Sequence, residues 1–169
     1  NLNLNKLFQK ERIPAGRIPF AISLSRLKRS DAVLNVGCFN GSMERHFLKG
    51  KCASYVGVDS NGPAVMLANS MEKIDGDSKK KFLVAKAEKL PFVKSKFDLV
   101  FCLDTLEHVS NEEKALEEIH RVLKPNGRLV LSVPHDFLNF LDPDDLTRGV
   151  RNVVRKYINK KPPLGHPKH

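Results

Sequence analysis

An open, doubly wound α/β domain is the fold this sequence predicts, and three observations predict it. Short runs of Val, Ile, Leu and Phe recur through the middle of the chain, continuous rather than alternating, as expected of strands covered on both faces of a parallel sheet. Stretches with helical spacing lie between them, so strand and helix alternate. The length of 169 residues suits one domain with a sizeable buried core.

Residues 32–37 (AVLNVG) read as the first strand, ended by a glycine, and residues 42–50 as a short helix. Residues 54–59 (SYVGVD) form the second strand and 62–73 a second helix. The third and fourth strands are 81–87 (KFLVAKA) and 97–104 (FDLVFCLD). The clearest helix lies in SNEEKALEEIHRVLKPNG. There Ser110 and Glu113 have the spacing of a capping box, Leu116, Ile119, Val122 and Leu123 make the apolar stripe, and Pro125 with Gly127 ends it. Its acids come early and Arg121 and Lys124 come late, which complements the helix dipole. Residues 127–134 (GRLVLSVP) complete the set as a fifth strand.

In such a sheet a ligand binds beyond the carboxyl ends of the strands, where the strand order reverses. The turn after the first strand, Gly37-Cys38-Phe39-Asn40-Gly41, is built for that place. Its glycines let the backbone turn tightly and approach a ligand, and the N–H groups of the following helix face the same space. Eighteen residues beyond Gly41, at the end of the second strand, stands Asp59. A carboxylate there is positioned to accept both hydroxyls of a ribose. Each feature has a plainer explanation, a packing turn or a helix cap; together they point to a nucleoside.

The formal charge of +10 divides unevenly. Residues 1–29 carry seven Lys/Arg against one acid, residues 30–145 fifteen against eighteen, and residues 146–169 seven against none. Basic arms of this kind hold phosphate, an anionic membrane surface or an acidic partner. Aromatic residues are not interleaved with the cations, so specific nucleic-acid binding is not favoured. No apolar run reaches membrane-spanning length and the polar start NLNLNKLFQKER is no signal peptide, so a cytoplasmic setting is expected. Cys38, Cys52 and Cys102 are odd in number and lack metal-binding spacing, which suggests reduced thiols and no metal.

The turn departs from the dinucleotide pattern G-x-G-x-x-G. It resembles instead the first motif of the class I S-adenosylmethionine-dependent methyltransferases, an acid followed by x-G-x-G-x-G. The likeness continues through YVGVDSN, AKAEKLPFVKSKFDLVFCLDTLEHV and EIHRVLKPNGRLVLSVP, in order over about residues 30–135. The LEH after the fourth strand is similar to one branch of that family, the type 11-like branch. The resemblance implies a Rossmann-like, mostly parallel sheet of about five strands, with S-adenosylmethionine as cofactor. It implies that backbone around Gly37, Cys38 and Gly41 lines the methionine part, with Asn35 at the position that faces its ammonium group and the Phe39 ring placed to roof the cofactor, that Asp59 holds the ribose, and that Ser60 or Asn61 lies beside the adenine. Ala87 and Glu88 would meet the adenine edge, and Leu103 would end the fourth strand over the site. His108, with Glu107 before it, would orient the loop or face the substrate. His135, in SVPHDF after the fifth strand where a loop would face the acceptor, is the best candidate base, with a surface loop histidine as the plainer explanation.

Three positions depart from the family pattern. Asn35 stands in place of the acid, Phe39 in place of the middle glycine, and Lys86 where an acid often binds the adenine amino group. Loss of a charge-assisted hydrogen bond at Asn35 would weaken the cofactor by roughly 1 kcal/mol.

Residues 1–29 are expected to form a basic helical arm, 30–135 the cofactor domain, and 136–169 a cap with a basic helix near 146–158 and a flexible tail. Members of the family usually add a closing strand hairpin, which this sequence lacks, leaving the fifth strand to be covered by that helix or paired in a homodimer. Three functions stay open at this level. The first is methyl transfer to a small molecule, such as a saccharide or lipid-linked precursor; the second is methylation of RNA or protein by way of the basic arms; the third is cofactor binding without catalysis.

Overall fold

The computed structural model describes residues 17–75 and 80–132. Five strands form one sheet: β1 (Ala32–Val36), β2 (Ser54–Asp59), β3 (Lys80–Val84), β4 (Phe97–Leu103) and β5 (Leu123–Ser132). Their order is β3-β2-β1-β4-β5, and every neighbouring pair is parallel. The chain runs outward from β1 through β2 to β3, then crosses back to place β4 on the other side of β1. The carboxyl ends of β1 and β4 therefore flank the point of reversal, where such sheets bind ligands.

Helix α1 (Arg17–Ser25) precedes β1, α2 (Gly62–Asp75) joins β2 to β3, and α3 (Glu112–Val122) joins β4 to β5. One face of the sheet carries Val33, Tyr55, Phe82, Leu99 and Phe101, packed with Met43, Leu48, Val65 and Ala68; Ile18 and Ile22 of α1 close its margin. The side chains of Leu34, Val36, Val58, Val100 and Cys102 alternate with these, as the two-residue period of a strand requires, and are also buried. Buried Ala115, Leu116, Ile119 and Val122 of α3 keep the spacing of one helical face.

Three local readings change in the structure. The helix expected over 42–50 contains a π-helical turn, Glu44–Leu48, in which Lys49 N–H reaches the Glu44 carbonyl at 3.1 Å. This places Glu44 wholly inside, its carboxylate 2.8 Å from Lys80 Nζ. The α3 cap is Asn111, whose Oδ1 accepts Lys114 N–H at 2.8 Å. Ser110 instead donates its N–H to Glu88 Oε1 at 3.0 Å, so the Ser110/Glu113 capping box is not formed. The fifth strand starts earlier than expected, with Leu123 against Phe97, and shifts register before Leu99 pairs with Arg128.

β5 ends the described sheet, with Leu129 exposed. The cap, the basic helix near 146–158, the tail, His135 and residues 1–16 of the arm lie outside the described residues. Among those described, no helix is long and apolar enough to cross a membrane.

Candidate functional site

A cleft of about 430 Å³ opens at the reversal point. Gly37 and Phe39 of the first turn form one wall, Asp59, Ser60 and Asn61 the next. Lys86, Ala87 and Glu88 follow from the loop after β3, and Asp104, Thr105 and His108 close the circuit after β4.

The first turn is tied to β2 by its backbone. Gly37 and Cys38 both donate N–H to the Val58 carbonyl, at 2.8 and 3.0 Å. The Asp59 carboxylate holds the two banks together: Oδ2 accepts Phe39 N–H and Oδ1 accepts Asn61 N–H, each at 2.8 Å. Phe39 takes φ 47°, a conformation that a bulky side chain adopts only when its surroundings hold it there. The hydrogen bond to Asp59 is one such restraint. Asn61 also caps α2, its Oδ1 accepting Ala64 N–H at 3.0 Å.

The turn after β4 is equally constrained. Thr105 Oγ1 donates toward the Leu103 carbonyl at 2.9 Å and lies 3.2 Å from the Val36 carbonyl, so it fits against Gly37. Asp104 has φ 48°; its N–H reaches the Ser132 carbonyl at 3.0 Å and its Oδ1 accepts the Ser132 hydroxyl at 2.9 Å. This couples the loop to the end of β5.

The loop after β3 is fixed from α3. The Glu118 carboxylate accepts Leu90 N–H at 2.8 Å and pairs with Arg121, while Arg121 donates to the Phe92 and Leu90 carbonyls at 2.6 and 3.0 Å. The Arg121 hydrogen bonds hold Glu118 below its ordinary pKa, with Leu90 N–H adding to the effect against the opposing cost of burial. A depressed carboxylate pKa contributes stability above its unfolded value, lost as pH falls through the folded one. Glu118→Gln should therefore cost about 1–2 kcal/mol at neutral pH, and the difference from the parent should shrink as pH falls through the ordinary carboxylate range and vanish only below the lowered pKa of Glu118. Urea unfolding across that range measures it.

Of the residues expected from sequence, Gly37, Phe39, Asp59, Ser60, Asn61, Ala87, Glu88 and His108 meet at the cleft. Asn35, Cys38, Gly41 and Leu103 are not among its lining residues. Asn35 is buried beneath the turn with Nδ2 3.8 Å from Met43 Sδ, and Gly41 backs onto Phe82. Burial pushes the Cys38 thiol far above its usual pKa, with the Asp59 charge adding to it. Cys102 is pushed up to about 12 by burial and by Glu107. His108 is 77% exposed, with Nε2 3.9 Å from Glu107 Oε1. Both Glu107 oxygens are buried with no hydrogen-bond partner among the described residues. Thr105 is a part that sequence reasoning missed, because only its approach to Gly37 in space gives it a role.

The strand order and the position of this cleft define a doubly wound α/β domain with a candidate ligand site at the point of strand reversal. Residues 34–131 match the family model described as a methyltransferase domain, and the chain belongs to that family. The crystal structure of a SAM dependent methyltransferase from Aquifex aeolicus superposes with a TM-score of 0.58 at 25% identity, over 64% of this chain and 59% of that one. The chain is 30% identical over 128 residues to the 27-O-demethylrifamycin SV methyltransferase of Amycolatopsis mediterranei, covering 75% of this chain and 46% of that protein. It is 35% identical over 116 residues to the ubiquinone/menaquinone biosynthesis C-methyltransferase UbiE of Hydrogenovibrio crunogenus, covering 66% of this chain and 45% of that one. The crystal structure of YcgJ from Bacillus subtilis superposes with a TM-score of 0.62 at 29% identity, over 66% of this chain and 47% of that one. The chain thus spans about half the length of the curated relatives it matches.

Proposed function

We propose that this chain binds S-adenosylmethionine in the cleft and transfers its methyl group to a small organic acceptor. The carrying observation is the Asp59 carboxylate at the end of β2, facing the cleft beside the glycine turn. Each of its oxygens accepts one backbone N–H and retains lone-pair capacity for a ribose hydroxyl. Gly37, whose Cβ position is taken by Thr105, presents backbone to the cleft, and Ala87 offers a small wall where the base would lie, so the residues fit the group.

When bound, the cofactor supplies a sulfonium carrying an electrophilic methyl group. The protein's own part is to orient the acceptor and keep water out, effects worth several kcal/mol. His108 is exposed on the rim of the cleft, where its imidazole is placed to act as base toward an acceptor hydroxyl or amine. Lys86 lies where the family often places an acid, so the base would be held with less help from a carboxylate.

The names of two relatives, a rifamycin O-methyltransferase and a quinone-biosynthesis C-methyltransferase, favour an acceptor of low molecular weight. A saccharide or lipid-linked precursor falls within that class. Calorimetry with S-adenosylhomocysteine should give one site, and labelled methyl should pass to a member of a small-molecule panel. Transfer to RNA or protein alone would overturn the small-acceptor reading, and absence of cofactor binding would overturn the whole of it.

A further inference from the structure

The opposite end of the molecule carries a second cleft, lined by Ile22, Ser23, Arg26, Leu27, Arg29 and Lys51. Arg29 precedes β1 and Lys51 precedes β2, so this cleft lies at the amino ends of the strands, away from the cofactor site. All three of its cations are exposed. No acid lines it. The nearby Asp31 is buried, accepts Lys28 N–H at 2.7 Å and pairs with Arg128 at 2.6 Å, so its charge is already matched within the protein. The charge of these three cations therefore meets no matching acid among the described residues that line the cleft.

Helix α1 borders the same cleft and carries apolar residues on both sides. It packs inward through Ile18, Ala21, Ile22 and Ser25, while Phe20 and Leu24 remain 63% and 60% exposed. Spaced four apart, they stand on one face, and Ser23 beside them opens into the basic cleft. An exposed aromatic and aliphatic pair flanked by unpaired Arg and Lys matches one chemistry in both halves: acyl chains below a layer of anionic headgroups. Nucleic acid would match the cations but leave Phe20 and Leu24 in water.

We infer that α1 and the adjoining Arg26, Arg29 and Lys51 form a docking surface for an anionic phospholipid bilayer. Phe20 and Leu24 enter the interface and the three cations lie at headgroup level. Because the surface is at the amino ends of the strands, docking leaves the cofactor cleft open to its acceptor. The inference is independent of the proposed reaction.

The test is co-sedimentation of the full chain with vesicles of phosphatidylcholine alone or mixed with phosphatidylglycerol. Binding should be confined to the mixed vesicles and fall with added salt. Replacing Arg26, Arg29 and Lys51 together by Gln should weaken it roughly a hundredfold, since each basic residue near an anionic surface contributes about fivefold. Phe20→Ser with Leu24→Ser should abolish it, while cofactor affinity stays at the parent value and certifies folding. The inference is overturned if no vesicle is bound, if the Phe20/Leu24 variant binds as the parent does, or if the triple variant does. The last result would assign binding to the basic segments 1–16 and 146–169. Salt-sensitive binding of RNA in place of vesicles, lost in the triple variant, would overturn it in favour of a nucleic-acid surface.

Discussion

Gly37→Ala is expected to be among the most destabilising single substitutions in this domain, by about 2–5 kcal/mol. Two costs add. At φ 82° a side chain is in the left-handed region, which costs about 1–2 kcal/mol outside glycine. The new methyl would also overlap the Thr105 hydroxyl and come within 2.7 Å of Thr105 Cγ2 and 2.9 Å of its Cβ. Overpacking against a fixed neighbour adds about 1–3 kcal/mol. Thr105 is not free to withdraw, because its hydroxyl is bonded to the Leu103 carbonyl. Gly50 supplies the control: it has φ 71° with nothing within 4 Å of an added Cβ, so Gly50→Ala should show the conformational cost alone. Urea unfolding of both variants separates the terms. Equal losses would show that Thr105 moves aside and that the close fit between the two turns is dispensable.

Asp59→Ala should lower affinity for S-adenosylhomocysteine at least tenfold, and by more if the turn loosens. Hydrogen bonds from a ribose to a charged group are worth about 1.5–3 kcal/mol. The same substitution leaves Phe39 and Asn61 N–H without their acceptor, which frees a turn held at an unfavourable φ. Asp59→Asn divides these effects. It keeps one acceptor oxygen but presents an NH2 to the other N–H, so it should recover only part of the binding. Calorimetry on the three proteins reads the series, with unfolding curves to record any loss of stability. Unchanged affinity in Asp59→Ala would place the ribose elsewhere in the cleft.

Much of the site is written in short-range sequence. The run 54–59 ends at the observed end of β2 because its apolar residues and the carboxylate that follows are local features. The Gly37 turn is legible for the same reason: a strand that stops at glycine must change direction there. The alternation of strands and helices was enough to predict a parallel sheet, and the sheet places both features at its carboxyl edge. Sequence marks Asp59 as a ribose ligand but not as the tie between the Phe39 turn and α2. Those two bonds join positions 20 apart and 2 apart, and only the first depends on the fold.

Sequence by itself determined the class of fold, the glycine turn and the acid beyond it, since periodicity and spacing act within a few residues. Tertiary structure decided the rest. It placed Glu44 on Lys80 in the interior, where a helix pattern suggests a solvent-facing acid. It set Asn35 beneath the turn rather than along the cleft, tied Glu88 to Ser110, and brought Thr105 against Gly37. It also turned Phe20 and Leu24 outward, because α1 packs through the face that carries Ile18, Ala21, Ile22 and Ser25. Each of these depends on which surfaces meet when the sheet closes over its helices, and a contact between residues distant along the chain leaves no periodic trace in either segment.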